Sequence, residues 1–448
     1  YLLPTMTKSS SIHRVPSAGG VEHGYPQGHL GHLTASEEQA LKDFKVFLQE
    51  KGAWTPGPPP SHDDPTLLRY LRARKWIVQD AYGQFSETEK FRKANEIDVL
   101  YNTIDVDAYE TSKKLVSPRN ETKRNTVDEH DLLTKKRAVP HVHGTTRSTY
   151  EKSTDTTYSS AKTDGTTPAK LLRLFALYEN LTRFAQPLCT QCTDREYAET
   201  PITLSTNIVD ISQVSLRMFW NLKSHMQAAS MLATAHYPET LDRIFIIGAP
   251  VFFSTVWGWV KRWFDPVTVS KIFILGPTDV LPVLTSFIDI KNIPKAYGGE
   301  MEWKFFEEPK FDDEVKRLMT WENGHTALPP RPMYWRPYDD GKRLELMAVG
   351  TKDKKQRNER VATIPVAFPN QKFGEDKAVA PSSAPADAAA TAPATNGEAH
   401  KTVDAAAVDL NKLSISEAAK ESKGVESTEL SEKTVADTVP SKEPTAVQ

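Results

Sequence analysis

The sequence predicts an α/β fold in which a small bundle of helices precedes a mainly parallel sheet. Two patterns support this prediction. Helical stripes of apolar residues follow one another over residues 34–102, and this order is typical of a bundle of short amphipathic helices. From Pro168 onward, short apolar runs alternate with longer helical segments. Such alternation is typical of parallel strands that are joined by crossover helices.

Capping signals define the helices of the bundle. Thr34 followed by Glu37 forms a capping box before the first apolar stripe. Asp64 followed by Pro65 marks the start of the second helix, because an acidic cap and an early proline both favour a helix N-terminus. The third helix is predicted over residues 78–95. We therefore expect a three-helix bundle in this part of the chain.

The alternating part of the chain predicts strands and helices in turn. We expect helices over residues 170–185, 216–236 and 280–287, and strands over residues 202–210, 243–247 and 271–275. Later strands are expected within residues 344–366.

A tryptophan-rich segment, residues 249–266, contains three of the nine tryptophans within seven residues. On a helix its apolar side chains fall on one arc of roughly 160°; they are Val256, Trp257, Trp259, Val260, Trp263 and Phe264. Gly258, Lys261 and Arg262 fall on the opposite face. This pattern suits a helix that meets lipid, and it also suits an ordinary core-facing helix. The uncharged run over residues 244–260 is marginal for a membrane span.

The composition argues against several classes of function. The net charge is −2 at pH 7, so no global feature points to nucleic acid. Cys189 and Cys192, the two cysteines, are expected to be structural thiols. The sequence contains no G-x-S-x-G, P-loop, G-x-G-x-x-G or H-E-x-x-H pattern. We therefore expect a binding protein that is not an enzyme and that needs neither a cofactor nor a metal ion.

The two ends of the chain differ in composition from its middle. Residues 1–33 are rich in glycine, histidine, serine and proline, and we predict a flexible lead. Aromatic residues stop at Phe373, and residues 374–448 cannot bury enough apolar surface to offset the entropy of ordering. We expect a disordered tail there that is available to a protein partner. The N-terminus lacks a secretory signal pattern, which favours a cytoplasmic location.

Four stretches of the chain occur in a characteristic order. They are residues 63–76 (DDPTLLRYLRARKW), 237–239 (YPE) with 246–250 (IIGAP), 264–272 (FDPVTVSKI) and 294–299 (PKAYGG). Together they resemble the CRAL-TRIO family of lipid-transfer proteins, especially the fungal phosphatidylinositol/phosphatidylcholine exchangers. The resemblance implies a mainly parallel sheet and helices around one lipid cavity over residues 103–300, with a C-terminal extension over residues 301–373. We expect a monomer that associates peripherally with membranes.

The resemblance also implies a lipid headgroup site. In this chain its positions are Ser205, Asn207, Glu239, Thr268, Lys271 and Lys75. A phosphate favours hydroxyl donors with a cation, and a carboxylate accepts hydrogen bonds from inositol hydroxyls. Three other interpretations remain open. Glu239 pairs with Lys75 or Arg74 to hold the bundle in place, Ser205 bonds only to the backbone, or Lys271 is a solvated lysine.

The resemblance assigns the tryptophan-rich segment to a gate helix over the lipid. The gate residues are Phe253, Val256, Trp257, Trp259, Val260, Trp263 and Phe264. Such a helix would close over acyl chains in solution and open into the bilayer interface. Tyr178 matches an aromatic residue of the lipid cavity.

The sequence departs from the family pattern at three places. Asn207 replaces a headgroup hydroxyl, and Ala233 stands where binders of choline lipids carry one. Residues 116–148 replace a family strand with polar sequence, and we hypothesise a frameshift or retained intron there. The expected function is exchange of a phospholipid between membranes, with phosphatidylinositol favoured and phosphatidylcholine as a further ligand. The alternatives are a carrier or sensor of a sterol or another hydrophobic molecule, and a membrane or protein adaptor without transfer activity.

Overall fold

The computed structural model describes residues 25–115, 139–142, 159–212, 214–264, 266–303 and 311–368. These residues belong to one unit that runs from Tyr1 to Ala380. The tail predicted over residues 374–448 lies outside the described residues, as do most of the polar segment over residues 116–148 and the first 24 residues of the predicted lead.

The predicted bundle is present as three packed helices: α1 (Ala35–Glu50), α2 (Asp64–Ala73) and α3 (Val78–Ala94). Their apolar faces share one core, which includes Phe44, Leu48, Leu67, Leu68, Leu71 and Phe85. The predicted capping box is also present, since Glu37 N donates to Thr34 Oγ1 at 3.3 Å and Thr34 N donates to Glu37 Oε2 at 2.8 Å.

The cap of α2 lies one residue before the predicted one. Asp63 Oδ1 accepts a hydrogen bond from Thr66 N at 3.0 Å. Asp64 instead forms a buried ion pair with Lys45 Nζ of α1 at 2.8 Å. Its carboxylate therefore ties two helices of the bundle together, because a buried charge needs an opposite charge nearby.

The predicted parallel sheet is confirmed. Its strands are β1 (Val139–Val142), β2 (Ser205–Asp210), β3 (Leu241–Ile247) and β4 (Ile272–Ile274), and they pair in the order β1-β2-β3-β4 with every pair parallel. The connecting helices include α6 (Ala169–Asn180), a π-helical turn (Leu181–Ala185), α7 (Gln186–Thr190), α8 (Leu216–His236), α9 (Phe253–Val260), α10 (Pro266–Ser270) and α11 (Val280–Thr285). The bounds of α8 are those predicted.

Two regions contain elements that the sequence pattern did not predict. α4 (Ile97–Thr103) and α5 (Val106–Leu115) follow the bundle. β1 lies inside the polar segment 116–148 and pairs with β2, with Val139 opposite Ser205. The expectation that this segment costs the sheet a strand is therefore wrong: backbone hydrogen bonds to β2 form a strand despite the polar sequence.

A second, antiparallel sheet follows the helix α12 (Asp313–Leu318). Its strands are β5 (Thr320–Trp321), β6 (Met333–Tyr338), β7 (Arg343–Lys352) and β8 (Lys355–Pro365), in the order β5-β8-β7-β6. The predicted late strands correspond to β7 and β8. Trp335 and Leu346 from this sheet share a core with Phe184, Cys189 and Cys192. Both cysteines are buried, and burial raises the pKa of Cys189.

A buried carboxylate joins the bundle to the helices beside the sheet. Glu179, on α6, accepts hydrogen bonds from Arg92 Nη1 of α3 at 2.6 Å and from Arg183 Nη1 at 3.3 Å. Tyr237 donates its hydroxyl proton to the same carboxylate. Burial alone would raise the pKa of Glu179, but the charges of Arg92 and Arg183 outweigh it and lower the pKa to about 2.

We expect Glu179→Gln to lower the free energy of unfolding by about 3 kcal/mol at neutral pH, because it leaves buried cations without their counter-charge. The pKa of Glu179 is depressed in the folded state, so its contribution is present above the usual carboxyl value of 4.5 and is lost as pH falls towards 2. Urea unfolding across this pH range measures both effects. Asp98→Asn is the matched control, since Asp98 also accepts from Arg92 but is 64 % exposed. Equal losses for the two variants would contradict this account.

Candidate functional site

A turn at the start of β3 is the centre of the candidate site. It comprises residues 237–240, and Glu239 has a φ of +51°. Arg69 Nη1 of α2 donates to Pro238 O at 3.1 Å, and Ser205 N donates to Thr240 O at 2.8 Å. The bundle and β2 therefore both hold the turn through hydrogen bonds to its carbonyl groups. A left-handed φ at a residue other than glycine is strained, and such strain often occurs at functional sites.

The structure brings Lys271 and Glu239 together. Lys271 Nζ lies 3.4 Å from Glu239 Oε2 and donates to Leu241 O at 3.2 Å. Thr268 is one turn earlier, and its carbonyl accepts from Lys271 N at 3.1 Å. The predicted cation and carboxylate thus meet at the amino ends of β3 and β4, and Thr268 is joined to this pair through the backbone of Lys271.

Lys75 lies on the bundle side, at the end of α2. Its side chain is exposed, and Lys75 and Trp76 have consecutive left-handed φ values of 51° and 65°. In the described part of the chain, the ion pair of Glu239 is with Lys271 and not with Lys75 or Arg74. The interpretation that Glu239 serves only to pair with Lys75 or Arg74 is therefore wrong, because its carboxylate pairs with Lys271, which directly precedes β4.

The two predicted β2 residues, Ser205 and Asn207, lie on either side of a register shift in the pairing of β2 with β3. Ser205 is buried, and its Oγ donates to Thr240 O at 3.1 Å. Its proton is thus used by the backbone, as one of the open interpretations held, although its lone pairs can still accept. Asn207 is half-buried and is paired across the sheet with Ile244.

The tryptophan-rich segment forms a shorter helix than predicted. α9 ends at Val260, a 3₁₀ turn spans Lys261–Trp263, and Phe264 is extended with φ −111°. The helix ends before Phe264 because Pro266 follows, and a helix usually ends at or before the residue that precedes a proline. Within the described residues, no helix has both the length and the apolarity that crossing a membrane requires.

The predicted apolar arc of α9 divides into a buried part and an exposed part. Phe253, Val256 and Val260 are buried in a core with Phe219 and Ile246. Trp257 and Phe264 are partly buried against that core, and the side chain of Trp263 lies outside the described residues. In contrast, Trp259 is 48 % exposed, Val251 is 97 % exposed and Val267 is 44 % exposed. These three apolar side chains, together with the exposed Lys261 and Arg262, are thus open to solvent.

Comparisons with known proteins agree with this architecture. The family model described as "CRAL/TRIO, N-terminal domain" matches residues 30–87, and the model described as "CRAL/TRIO domain" matches residues 160–299. A CRAL-TRIO domain-containing protein of Saccharomyces cerevisiae is 31% identical over 277 residues, which are 61% of this chain and 80% of that protein.

The chain belongs to the CRAL-TRIO family. The predicted CRAL-TRIO fold class is therefore confirmed. A SEC14 cytosolic factor of Yarrowia lipolytica is 30% identical over 301 residues, 67% of this chain but only 55% of that relative. Phosphatidylinositol/phosphatidylcholine transfer protein SFH9 of Arabidopsis thaliana is 27% identical over 303 residues, 63% of this chain and 46% of that relative. The antiparallel sheet β5–β8 follows the residues that the CRAL-TRIO models match.

Tyr178 of this CRAL-TRIO chain lies beside the turn that carries Glu239. Its ring stacks on that of Tyr237 with centroids 4.6 Å apart, and burial raises the pKa of Tyr178 to about 12. The assignment of Tyr178 to acyl-chain binding stays a prediction.

Sequence reasoning missed two arginines of the CRAL-TRIO bundle, Arg69 and Arg72. Arg69 is buried, and Arg72 donates to Gly28 O at 2.9 Å. Their spacing of three residues places both arginines on one side of the helix, and this shared face could have indicated a common role.

We expect Arg69→Met to lower the free energy of unfolding by about 2 kcal/mol, because a buried carbonyl loses a charge-assisted hydrogen bond. Urea unfolding measures the change. Arg74→Met is the control, since Arg74 is exposed and its guanidinium donates to the carbonyl of the neighbouring Ala73 at 3.3 Å. Equal stability of Arg69→Met and the unchanged protein would show that the turn is held by other contacts.

Proposed function

We propose that this chain binds a phospholipid and exchanges it between membranes, with phosphatidylinositol as the favoured ligand. The observation that carries the proposal is the Lys271–Glu239 pair beside Thr268 and Ser205. An ammonium and a hydroxyl suit a phosphate, and a carboxylate suits inositol hydroxyls. The Arabidopsis relative is named as a phosphatidylinositol/phosphatidylcholine transfer protein, and this name supports the same ligand class.

Exchange of a lipid requires no bond making or breaking. The protein must remove the lipid from water, cover its chains and satisfy its headgroup. We therefore propose a carrier that acts without catalysis, works in the cytoplasm and touches membranes only transiently. The exposed Trp259, Val251 and Val267 next to Lys261 and Arg262 support docking on an anionic bilayer surface.

A second ligand class, a sterol or another hydrophobic molecule, is favoured by one observation. The Ser205 proton is donated to Thr240 O, and the neighbouring strand position holds Asn207. β2 therefore offers a phosphate fewer hydroxyl donors than the family pattern implies. Exchange of such a ligand would not depend on the ammonium group of Lys271.

We expect Lys271→Ala to reduce transfer of phosphatidylinositol between vesicles by about tenfold, because a phosphate loses a charge-assisted hydrogen bond. A fluorescence or radiolabel transfer assay measures the rate. Lys295→Ala is the matched control, since the exposed Lys295 pairs with Glu302 outside the site. Unchanged transfer by Lys271→Ala would contradict the headgroup assignment.

We expect Trp259→Glu to weaken association with anionic vesicles by about tenfold, because it replaces an exposed aromatic ring with a charge. Cosedimentation with vesicles measures the bound fraction. Ile290→Glu is the control, since Ile290 is a similarly exposed apolar side chain outside α9. If both variants bind vesicles as the unchanged protein does, the surface around Trp259 is not the docking surface.

A further inference from the structure

Residues 25–33 form a segment that we name the N-terminal strap. It joins two parts of the molecule. Tyr25 OH donates to Thr200 O at 3.3 Å and accepts from Arg195 Nη1 at 3.1 Å. At its middle, Gly28 O accepts from Arg72 Nη1 of α2 at 2.9 Å. Gly28 has a φ of +70°, and a Cβ atom there would lie 3.3 Å from both Arg72 Cδ and Trp76 Cζ2. The strap therefore lies directly against the arginine.

Several buried polar atoms beneath the strap have no hydrogen-bond partner among the described residues. They are Arg72 Nε, Arg72 Nη2, His29 Nε2 and Thr200 Oγ1. A buried polar group without a partner costs about 1–3 kcal/mol, so four of them around one short segment call for an explanation. A bound polar molecule that hydrogen-bonds to these atoms would explain why they remain without protein partners.

The hydrogen-bonding roles of these atoms restrict the chemistry of that molecule. His29 Nδ1 lies 3.0 Å from Gln27 O, and a carbonyl can only accept, so Nδ1 carries the proton. Burial, reinforced by the charge of Arg72, lowers the pKa of His29 to about 3, and the ring is neutral at pH 7. His29 Nε2 therefore offers a lone pair, whereas Arg72 Nε and Nη2 offer protons.

The two sides together require a group that both donates and accepts, or one group of each kind. A hydroxyl has both capacities, because its proton suits the lone pair of His29 Nε2 and its oxygen can accept from Arg72. A fully ionised phosphate has no proton to give to His29. Neighbouring hydroxyls of a polyol thus fit these atoms better than a phosphate does.

Arg72 also connects the strap to the site already described. Burial lowers the pKa of Arg72 to about 10, and the charge of Glu239 opposes that shift, so the guanidinium remains a cation at pH 7. The charge of Arg72 thus interacts with the Glu239 carboxylate and also acts on His29.

We propose that Arg72 and His29 form a polyol subsite beneath the N-terminal strap, which takes ring hydroxyls of an inositol headgroup whose other side meets Glu239 and Lys271. This inference rests on the proposed exchange of phosphatidylinositol and adds a residue pair that selects the headgroup. A choline headgroup has no hydroxyl to offer, so the subsite favours the inositol lipid over the choline lipid.

The test uses the full chain and vesicles that contain equimolar phosphatidylinositol and phosphatidylcholine. The protein is loaded, re-isolated and extracted, and mass spectrometry gives the ratio of the two bound lipids. His29→Leu keeps the bulk of the ring and removes the acceptor. We expect it to lower the inositol-to-choline ratio about fivefold, and Arg72→Met to lower it about twentyfold. His32→Leu is the control, because His32 is a strap residue that pairs with Glu199 at 3.3 Å.

The outcomes separate the two levels of the inference. An unchanged ratio in His29→Leu and Arg72→Met, with inositol lipid still bound, overturns the subsite alone and leaves a trapped water as its occupant. A parallel loss of both lipids shows that the strap only braces the bundle, and this also overturns the subsite. Absence of inositol lipid from the unchanged protein overturns the proposed function itself. Should Arg72→Met fail to fold, His29→Leu decides the question alone.

Discussion

The buried carboxylate of Glu179 is the interaction on which the arrangement of the molecule depends. It draws Arg92 from the bundle, Arg183 from the π-helical turn and the hydroxyl of Tyr237 to one point. Desolvation of a lone carboxylate would be prohibitive, so the three partners must remain in place together. Because Tyr237 is the first residue of the turn that carries Glu239, this network also fixes the candidate headgroup site relative to the bundle.

Much of the fold could be predicted because its elements have regular periodicity. The bundle helices carry caps and apolar stripes, and α8 begins and ends where its pattern does. β1 could not be found this way, because it lies in polar sequence and is defined by its pairing with β2. The antiparallel sheet was only partly predicted, since β5 has two residues and β6 contains Pro337. Such strands form through neighbours that a local pattern does not contain.

The sequence could predict which residues belong to the candidate site, but it could not predict the contacts that these residues make. The resemblance named Lys271, Glu239 and Ser205, and the structure places them at the amino ends of neighbouring strands. Which partner each side chain has is a tertiary property, so the choice of Lys271 over Lys75 for Glu239 could not be read from the chain. Arg72 and His29 were missed because arginine side chains are mostly exposed and histidine side chains are only intermediate in burial.

The central claim is that the site around Lys271 and Glu239 holds the headgroup of an inositol phospholipid. Mass spectrometry of the lipid that co-purifies with the full chain tests it most directly. The account predicts an inositol phospholipid bound at about one molecule per chain, and its partial replacement by choline phospholipid in Lys271→Ala. A sterol or another ligand without a phosphate, bound equally well by both proteins, would contradict it.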